Sequence, residues 1–307
     1  MTHGPVPLGF VVLTAALLVS TVHAADTRDA EDPAAVSAPD EPSGAQADSP
    51  TPARPYGFRT LGRDTRYLFT RPAHLDRQGW TRLGATLAAA GGLFALRHEI
   101  RDFSQEHLST GRTRLLDDVR GIMGGPGLAV GLSLATWAAS FATHEDREKE
   151  TAQLLLESLG YSVAVAGVGQ FVLASERPRE GVHVHFFHLH GHGVSGDASI
   201  AASIVAPIRR QYLRIDPDDT RGRRFLKRAG TGLLYGGAIL TAWQRVNSES
   251  HWAPDAFLGL ANGFAVGEML CDAHALARER RVAFSVVPVR GGGTAARISF
   301  DPDRAPH

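Results

Sequence analysis

Three short segments of the sequence carry side chains that phosphate chemistry needs, and they follow one another along the chain. The first runs from Gln170 to Arg177-Pro178, the second is Val194-Ser195-Gly196-Asp197, and the third runs from Gln244-Arg245 through His251 to Asp255. Hydrolysis of a phosphate ester requires a nucleophile, positive charge on the equatorial oxygens and an acid for the leaving group. Histidine, arginine and carboxyl side chains can perform these tasks, so the segments predict a phosphate site.

His251 is the predicted nucleophile, because a neutral imidazole can attack phosphorus and form a phosphohistidine. Asp255 follows it at the start of a predicted helix, where its carboxylate could accept the proton of the other ring nitrogen and fix the tautomer. Arg177 and Arg245 offer planar forks that match phosphate oxygens. This chemistry requires no metal and no other cofactor, and none is predicted.

Ser195 and Gly196 immediately precede a predicted helix, where backbone N–H groups can add an anion site. Each residue also has an ordinary structural explanation when it is taken alone. A histidine beside a tryptophan commonly packs in a core, Asp255 could be a carboxylate at a helix start, and Arg177 could lie on the surface. Their joint order and spacing favour the phosphate site.

The segments resemble the signature of the type 2 phosphatidic acid phosphatase and vanadium haloperoxidase superfamily. That signature is Lys-x6-Arg-Pro, then Pro-Ser-Gly-His, then Ser-Arg-x5-His-x3-Asp, and the chain keeps the spacing of Arg245, His251 and Asp255. It also matches at Arg177-Pro178 and at Ser195-Gly196. The resemblance implies an all-α fold built as a six-helix bundle of that superfamily's kind. It also implies that the protein is similar to exported bacterial members of the superfamily.

Three positions depart from this signature. Gln170 replaces the lysine, Gln244 replaces the serine, and Asp197 replaces the histidine expected to protonate the leaving group. An aspartic acid could do that work if its pKa were raised by burial or a nearby anion. It would also bring a second carboxylate to a bound phosphate, at roughly 1 kcal/mol or more.

These departures leave several functions open. The first is a phosphatase that hydrolyses a phosphorylated lipid or small phosphate ester. The alternatives are a descendant that binds phosphate or lipid without turnover, and a vanadate-dependent haloperoxidase. The haloperoxidase is disfavoured because the lysine and histidine that activate peroxide in that class are replaced here by Gln170 and Asp197.

Five histidines lie close together between the first two segments. They are His183, His185, His188, His190 and His192. They could be solvated loop residues over the mouth of the site, which we favour, or metal ligands, for which no complete ligand set is present. As a third alternative, His192 could replace the missing acid.

Composition limits the partners and the cellular compartment. The 307 residues include 32 basic and 32 acidic side chains, so no overall field attracts nucleic acid. An arginine-rich run from Arg209 to Arg228 could touch anionic lipid head groups or simply be a solvated connection. The single cysteine, Cys271, cannot form an internal disulfide and is predicted to be a buried, inert thiol.

The N-terminal residues predict export to the periplasm or cell envelope. An apolar run from Leu8 to Val22 ends in small residues, which is typical of a signal peptide over residues 1–25, with an uncleaved anchor as the alternative. Residues 26–55 are rich in Pro, Ala and acidic side chains and predict a disordered tether.

The predicted folded part is a helical domain over residues 56–277 followed by a β-hairpin over residues 281–301. Six apolar stretches of helical length are predicted: Leu83–Leu96, Gly121–Thr143, Ala152–Ser175, Ala198–Ile208, Arg228–Gln244 and Asp255–Ala275. Asp197 is the predicted cap of the helix that opens at Ala198. We expect a water-soluble bundle in preference to six membrane spans, with shallow membrane contact and the oligomeric state left open.

Overall fold

The computed structural model describes residues 58–108, 113–189, 191–279, 283–289 and 293–299. In this part the chain is mostly helical, which confirms the all-α prediction. The predicted signal peptide at 1–25 and tether at 26–55 lie outside the described residues. The helices are α1 (Phe58–Thr70), α2 (Arg77–Ala95), α3 (Arg97–Leu108), α4 (Thr113–Met123), α5 (Pro126–Thr143), α6 (Asp146–Val172), α7 (Gly196–Ser203), α8 (Val205–Tyr212), α9 (Arg221–Asn247) and α10 (Ala253–Glu279), with a 3-10 turn at Arg71–His74.

Close packing between α7 and α10 forms the centre of the fold. A Cβ added to Gly259 would lie 2.5 Å from the carbonyl oxygen of Ser195, and one added to Gly263 would lie 2.2 Å from that of Ser199. Gly267, one turn further on, faces Ser203 at the end of α7 and the start of α8. The glycine stripe therefore lets the two backbones approach more closely than side chains would allow.

Two of the predicted helices are each divided in two. The stretch 121–143 breaks at Gly124-Gly125, and α4 and α5 meet there at a bend of 48°. Pro126 begins α5 because its missing N–H costs nothing at a helix start. The stretch 198–208 is similarly interrupted at Ile204, between α7 and α8.

Helices α1 and α3 were not predicted from the sequence. Both are rich in charged residues, so they do not form the apolar stretches on which the predictions were based. α1 is held to α6 by a hydrogen bond between Thr65 Oγ1 and the hydroxyl of Tyr161. α3 contacts the end of α9, where Ser104 donates to Asn247 Oδ1 at 3.0 Å.

A short antiparallel pair, also missed from the sequence, follows α6. Strand β1 (Leu173–Ser175) pairs with β2 (Val184–Phe186), with Ala174 opposite His185. This pair fixes both ends of the turn that carries Arg177. A second antiparallel pair, β3 (Ala283–Val289) and β4 (Gly293–Ser299), forms the strands predicted for the C-terminal hairpin.

Among the described residues, α6 is long and apolar enough to cross a membrane by length and composition. The bent pair of α4 and α5 meets the same criteria if it is taken as one broken span. One or two helices that meet these criteria are also found in the cores of proteins that do not span a membrane.

The single cysteine is buried, as the sequence predicted. Cys271 lies on α10 and is 4% exposed. Burial raises the pKa of its thiol to about 12, so the reactive thiolate is scarce at neutral pH.

Candidate functional site

The loop between α9 and α10 positions His251. The backbone N–H groups of Ser250 and His251 both donate to the carbonyl of Arg245, at 3.0 and 3.1 Å. Glu249 adopts a left-handed backbone conformation with φ of 51°. Its Oε1 accepts a hydrogen bond of 2.6 Å from Nε of Arg101, which lies on α3. The loop therefore folds back on the end of α9 and buries the imidazole, which is 8% exposed.

One backbone contact fixes the tautomer of His251. Its Nδ1 lies 2.9 Å from the carbonyl oxygen of His192. A carbonyl can only accept a hydrogen bond, so Nδ1 carries the proton and Nε2 carries the lone pair. Burial, reinforced by the nearby charge of Arg245, lowers the pKa of His251 to about 4. The imidazole is therefore neutral at neutral pH, as a nucleophile must be.

Asp255 does not have the contact predicted for it. Its Oδ2 accepts hydrogen bonds from Ser175 Oγ at 3.1 Å and from the backbone N–H of Trp252 at 3.2 Å. The carboxyl group thus reaches back to the residue before α10, as in a capping box, while the His192 carbonyl occupies the position at His251 Nδ1. Burial is the main reason that the pKa of Asp255 rises to about 8.

Positive charge collects around Arg245. Its pKa is lowered, mainly by burial, while Asp197 opposes the shift and Arg120, Arg177 and Arg179 add to it. The guanidinium groups of these three arginines therefore lie within electrostatic range of Arg245. Such crowding of like charges is unfavourable unless an anion offsets it, which is typical of phosphate sites.

Two of these arginines also have buried nitrogen atoms without hydrogen bonds. Within the described residues, neither Arg177 Nε nor Arg245 Nε has a hydrogen-bond partner. Glu180 offsets part of the charge, since its Oε1 lies 3.7 Å from Arg177 Nη1 and 3.8 Å from Arg179 Nε. Arg177 Nε is a buried donor that is available for an incoming acceptor, whereas Arg245 Nε already lies 3.4 Å from Asp197 Oδ2.

Asp197 forms an ion pair inside the predicted site. Its Oδ2 lies 2.9 Å from Arg120 Nε, 2.8 Å from Arg120 Nη2 and 3.4 Å from Arg245 Nε. In this arrangement Asp197 Oδ2 accepts from Arg120 and faces Arg245, so this oxygen is engaged with two guanidinium groups. Arg120, on α4, was missed in the sequence because it belongs to none of the three segments.

The start of α7 differs in detail from the prediction. Ser195, not Asp197, is the cap, and its Oγ accepts from Ala198 N at 3.4 Å. The N–H of Ser195 donates to the carbonyl of Asp255 at 3.0 Å, so it is not available to an anion. Gly196 and Asp197 form the first turn, whose N–H groups have no acceptor within a helix.

Gln170 supports the second segment instead of adding charge. Its Nε2 donates to the carbonyl of Val194 at 2.8 Å. The same nitrogen lies 3.9 Å from where a Cβ of Gly196 would be. Gln244, the other glutamine substitution, donates to Asp117 Oδ1 at 2.7 Å and joins α9 to α4.

The loop histidines divide into two groups. His183 Nδ1 and His185 Nε2 contact the carboxylate of Glu176 at 3.2 and 3.5 Å, and both side chains are exposed. In the described part of this loop, no three ligand atoms come close enough to hold a metal, and His190 lies outside it. His192 is half-buried, and burial together with Arg177 lowers its pKa.

An apolar cavity of about 170 Å³ lies beside Asp255. Phe94, Val182 and Trp252 contribute to its wall, and Arg97 is at its edge. Typical small-molecule pockets measure roughly 300–1,000 Å³, so this cavity has room for only part of a ligand.

Much of the predicted basic run is paired within the protein. Arg209 and Arg210 contact Glu268 at 3.0 and 2.5 Å, and Lys227 contacts Asp219 at 2.7 Å. These pairs reduce the charge available for lipid head groups.

The three segments thus come together around His251, with Arg120 and Arg179 added and with Asp255 in a different contact. Comparison of the chain with protein-family models, with curated proteins and with solved structures finds no match. The superfamily resemblance therefore depends on the three segments alone.

Proposed function

We propose that the protein is a phosphatase that hydrolyses a phosphate monoester through a phosphohistidine on His251. The observation that carries the proposal is the neutral, buried imidazole of His251, whose proton is fixed on Nδ1, next to the buried guanidinium of Arg245. A nucleophile with its lone pair available and cations for the phosphate oxygens are the two requirements of this reaction.

In the proposed first step, the Nε2 lone pair of His251 attacks phosphorus. The N–P bond forms, the bond to the ester oxygen breaks, and that oxygen takes a proton from an acid. Arg177 and Arg245 bind the equatorial oxygens, and the His192 carbonyl holds the Nδ1 proton as positive charge develops on the ring. In the second step, water attacks phosphorus and gives a proton to the conjugate base of that acid, the O–P bond forms as the N–P bond breaks, and inorganic phosphate leaves with the lone pair restored on Nε2.

His192 is the better candidate for the acid. The carboxyl group of Asp197 is engaged with two guanidinium groups, whereas burial, together with the charge of Arg177, lowers the pKa of His192 and makes its protonated form a stronger acid. We therefore propose that His192 donates the proton and that Asp197 positions Arg120 and Arg245.

A lipid phosphate is the proposed substrate class. Helix α5 exposes a row of large apolar side chains along one face: Val130, Leu134, Trp137 and Phe141, of which the last three are more than half exposed. Such a face suits shallow contact with a membrane surface. In this proposal the protein acts in the cell envelope, and its helices form the six-helix bundle of the superfamily it resembles.

The test is phosphate release by the purified protein. p-Nitrophenyl phosphate and a short-chain phosphatidic acid serve as substrates for the wild type, for His251→Ala and for the control His74→Ala, an exposed histidine on the 3-10 turn. We expect activity in the wild type and the control and none in His251→Ala. A wild type that is folded and inert on both substrates would contradict hydrolysis.

Binding of phosphate without turnover is the second candidate. It is favoured by Asp197, which replaces the histidine acid of the superfamily signature and is engaged with Arg120 and Arg245. Titration calorimetry with inorganic phosphate distinguishes the two functions. Tight binding by a wild type that releases no phosphate from either substrate supports this candidate.

The haloperoxidase alternative remains disfavoured. Gln170 is engaged with the Val194 carbonyl, and Asp197 is engaged with arginines, so neither replaces the lysine and histidine of that class. A halide oxidation assay with added vanadate and peroxide is expected to give no product.

A further inference from the structure

A second cluster of ionisable residues lies at the other end of α10. His274 is about 28 Å from Asp255 along this helix, at 1.5 Å per residue. Its Nε2 lies 3.2 Å from Asp64 Oδ2 on α1 and 3.4 Å from Glu157 Oε2 on α6. The exposed fractions of these residues are 1%, 0% and 9%. Three helices thus bring one nitrogen and two oxygens to a point inside the protein.

The other ring nitrogen of His274 determines what Nε2 can do. Nδ1 lies 3.2 Å from Glu150 Oε1, and this carboxylate can only accept, so Nδ1 carries a proton. In the neutral imidazole the Nε2 lone pair then points at two carboxylate oxygens. That contact is repulsive unless a cation lies between the three atoms.

The two carboxylates give a second, independent observation. Within the described residues, neither Asp64 Oδ2 nor Glu157 Oε2 has a hydrogen-bond partner, although both are buried. Their other oxygens are used, because Asp64 Oδ1 accepts from Arg63 Nε at 2.8 Å and Glu157 Oε1 accepts from Gln153 Nε2 at 2.5 Å. The oxygens that face His274 are thus buried and, within the described residues, left without hydrogen bonds.

The distances fit the coordination sphere of a small divalent ion. Zinc bonds of about 2.0–2.1 Å to nitrogen and oxygen in a tetrahedron give ligand-to-ligand distances of about 3.3–3.4 Å. The two distances from Nε2, 3.2 and 3.4 Å, match this, and all three ligand atoms lie within 4.8 Å of one another. A carboxylate on the far nitrogen of a ligating histidine, like Glu150 here, is the usual support for such a ligand.

The charges agree with the geometry. The cluster has carboxylates from Asp64, Glu150 and Glu157, while Arg63 contributes one positive charge. With a neutral His274, the four side chains of Asp64, Glu150, Glu157 and Arg63 carry an excess of two negative charges, which a divalent cation offsets. Burying such an excess without a counter-charge would be strongly unfavourable.

We propose that Asp64, Glu157 and His274 bind a divalent transition-metal ion, with Zn²⁺ as the best-fitting ion, and that this ion fastens α1 to α6 and α10. Water completes the coordination. The site is separate from the phosphate site, and the proposal does not depend on the proposed phosphatase activity.

A proton competes with the metal for the same nitrogen. Burial disfavours the charged imidazole, but the adjacent carboxylates of Asp64, Glu150 and Glu157 outweigh burial and raise the pKa of His274 to about 10. A metal-free cluster held by an imidazolium is therefore the competing state, and the experiment must distinguish the two.

The experiment is Zn²⁺ titration of the full-length protein after treatment with a chelator. Calorimetry and elemental analysis are expected to give one Zn²⁺ per chain, with a rise in the unfolding temperature on binding. Co²⁺ should give the visible absorption of a tetrahedral site. Glu157→Gln, which keeps the shape of the side chain, is expected to weaken binding at least tenfold, and Asp64→Asn is expected to do the same.

Two controls make the result decisive. The double variant His183→Ala/His185→Ala removes exposed histidines that could bind Zn²⁺ on the surface, and it should leave both stoichiometry and affinity unchanged. Circular dichroism is used to check that Glu157→Gln is folded. No Zn²⁺ on the folded wild type, or binding that the loop variant abolishes and Glu157→Gln leaves intact, would overturn the proposal.

Discussion

At the scale of single residues, the site depends on which atoms are already engaged. His251 has its proton held by the His192 carbonyl, and Asp197 has its carboxylate held by Arg120 and Arg245. The same imidazole would be a poor nucleophile if its Nε2 carried the proton. Protonation states, more than residue identities, therefore distinguish an active site from a binding site here.

The pH dependence of hydrolysis should follow His251. Its folded pKa, about 4, lies below the ordinary value, so the neutral form persists as the pH falls from neutrality and is lost only near pH 4. The acidic limb of kcat/KM is therefore expected near pH 4, with a tenfold loss per pH unit below it. Initial rates with p-nitrophenyl phosphate between pH 3 and 8 measure this. A limb near pH 6.5 would mean that the imidazole is solvated.

The leaving-group acid can be identified from two substrates. His192→Ala keeps the backbone carbonyl that binds His251 but removes the imidazole. We expect roughly a 10²-fold loss of kcat on an alkyl phosphate, whose leaving group needs a proton, and little loss on p-nitrophenyl phosphate, whose leaving group does not. Asp197→Asn is the matched comparison. If Asp197→Asn shows the selective loss and His192→Ala does not, then Asp197 is the acid.

At the scale of secondary-structure elements, the glycine stripe on α10 determines how closely α7 approaches. A Cβ at Gly263 would lie 2.2 Å from the Ser199 carbonyl, and a backbone atom cannot move aside as a flexible side chain can. The register of α7 on α10 also places the Ser195 N–H against the Asp255 carbonyl. Helix packing and site geometry thus have the same cause.

Gly263→Ala should therefore destabilise the fold. We expect a loss of about 1–3 kcal/mol in the free energy of unfolding from overpacking. Gly232→Ala is the control, because this exposed glycine of α9 has no atom within 4 Å of an added Cβ, and alanine there should stabilise the helix by about 0.5–1 kcal/mol. Urea denaturation followed by circular dichroism measures both. Equal effects would mean that α7 and α10 can separate at no cost.

The sequence predicted elements and spacing better than it predicted contacts. Apolar periodicity located the long helices, and the three segments located His251 and Arg245. Charged helices such as α1 were missed because their stability comes from a few pairs, for example Asp64 with His274, between residues that are distant in sequence. Arg120 was missed because its ion pair with Asp197 also joins residues that are distant in sequence.

At the scale of the whole molecule, the charged clusters and the exposed apolar surface lie in different parts of the protein. The arginines of the site and the buried cluster around His274 lie at opposite ends of α10, while α5 turns large apolar side chains outward. Overall composition predicted neither feature, because a balanced total of 32 basic and 32 acidic residues does not reveal local excess.

Membrane contact should depend on the exposed face of α5. Trp137, which is 53% exposed, is a suitable anchor for the interface of a bilayer. Trp137→Glu is expected to reduce sedimentation of the protein with phosphatidic acid vesicles at least fivefold. Gly84→Glu, which adds the same charge at an open position of α2, should have little effect. Equal binding by both variants would exclude α5 as the contact.

The backbone hydrogen bond from the Ser195 N–H to the Asp255 carbonyl has a consequence for the redesign of this protein. Because this hydrogen bond joins backbone groups of Ser195 and Asp255, an exchange of the side chain at position 197 keeps it, while the ion pairs of Asp197 with Arg120 and Arg245 are lost. Asp197→His therefore changes the chemistry of the site and keeps this link to α10, and the chain can serve as a scaffold on which catalysis is built or removed one side chain at a time.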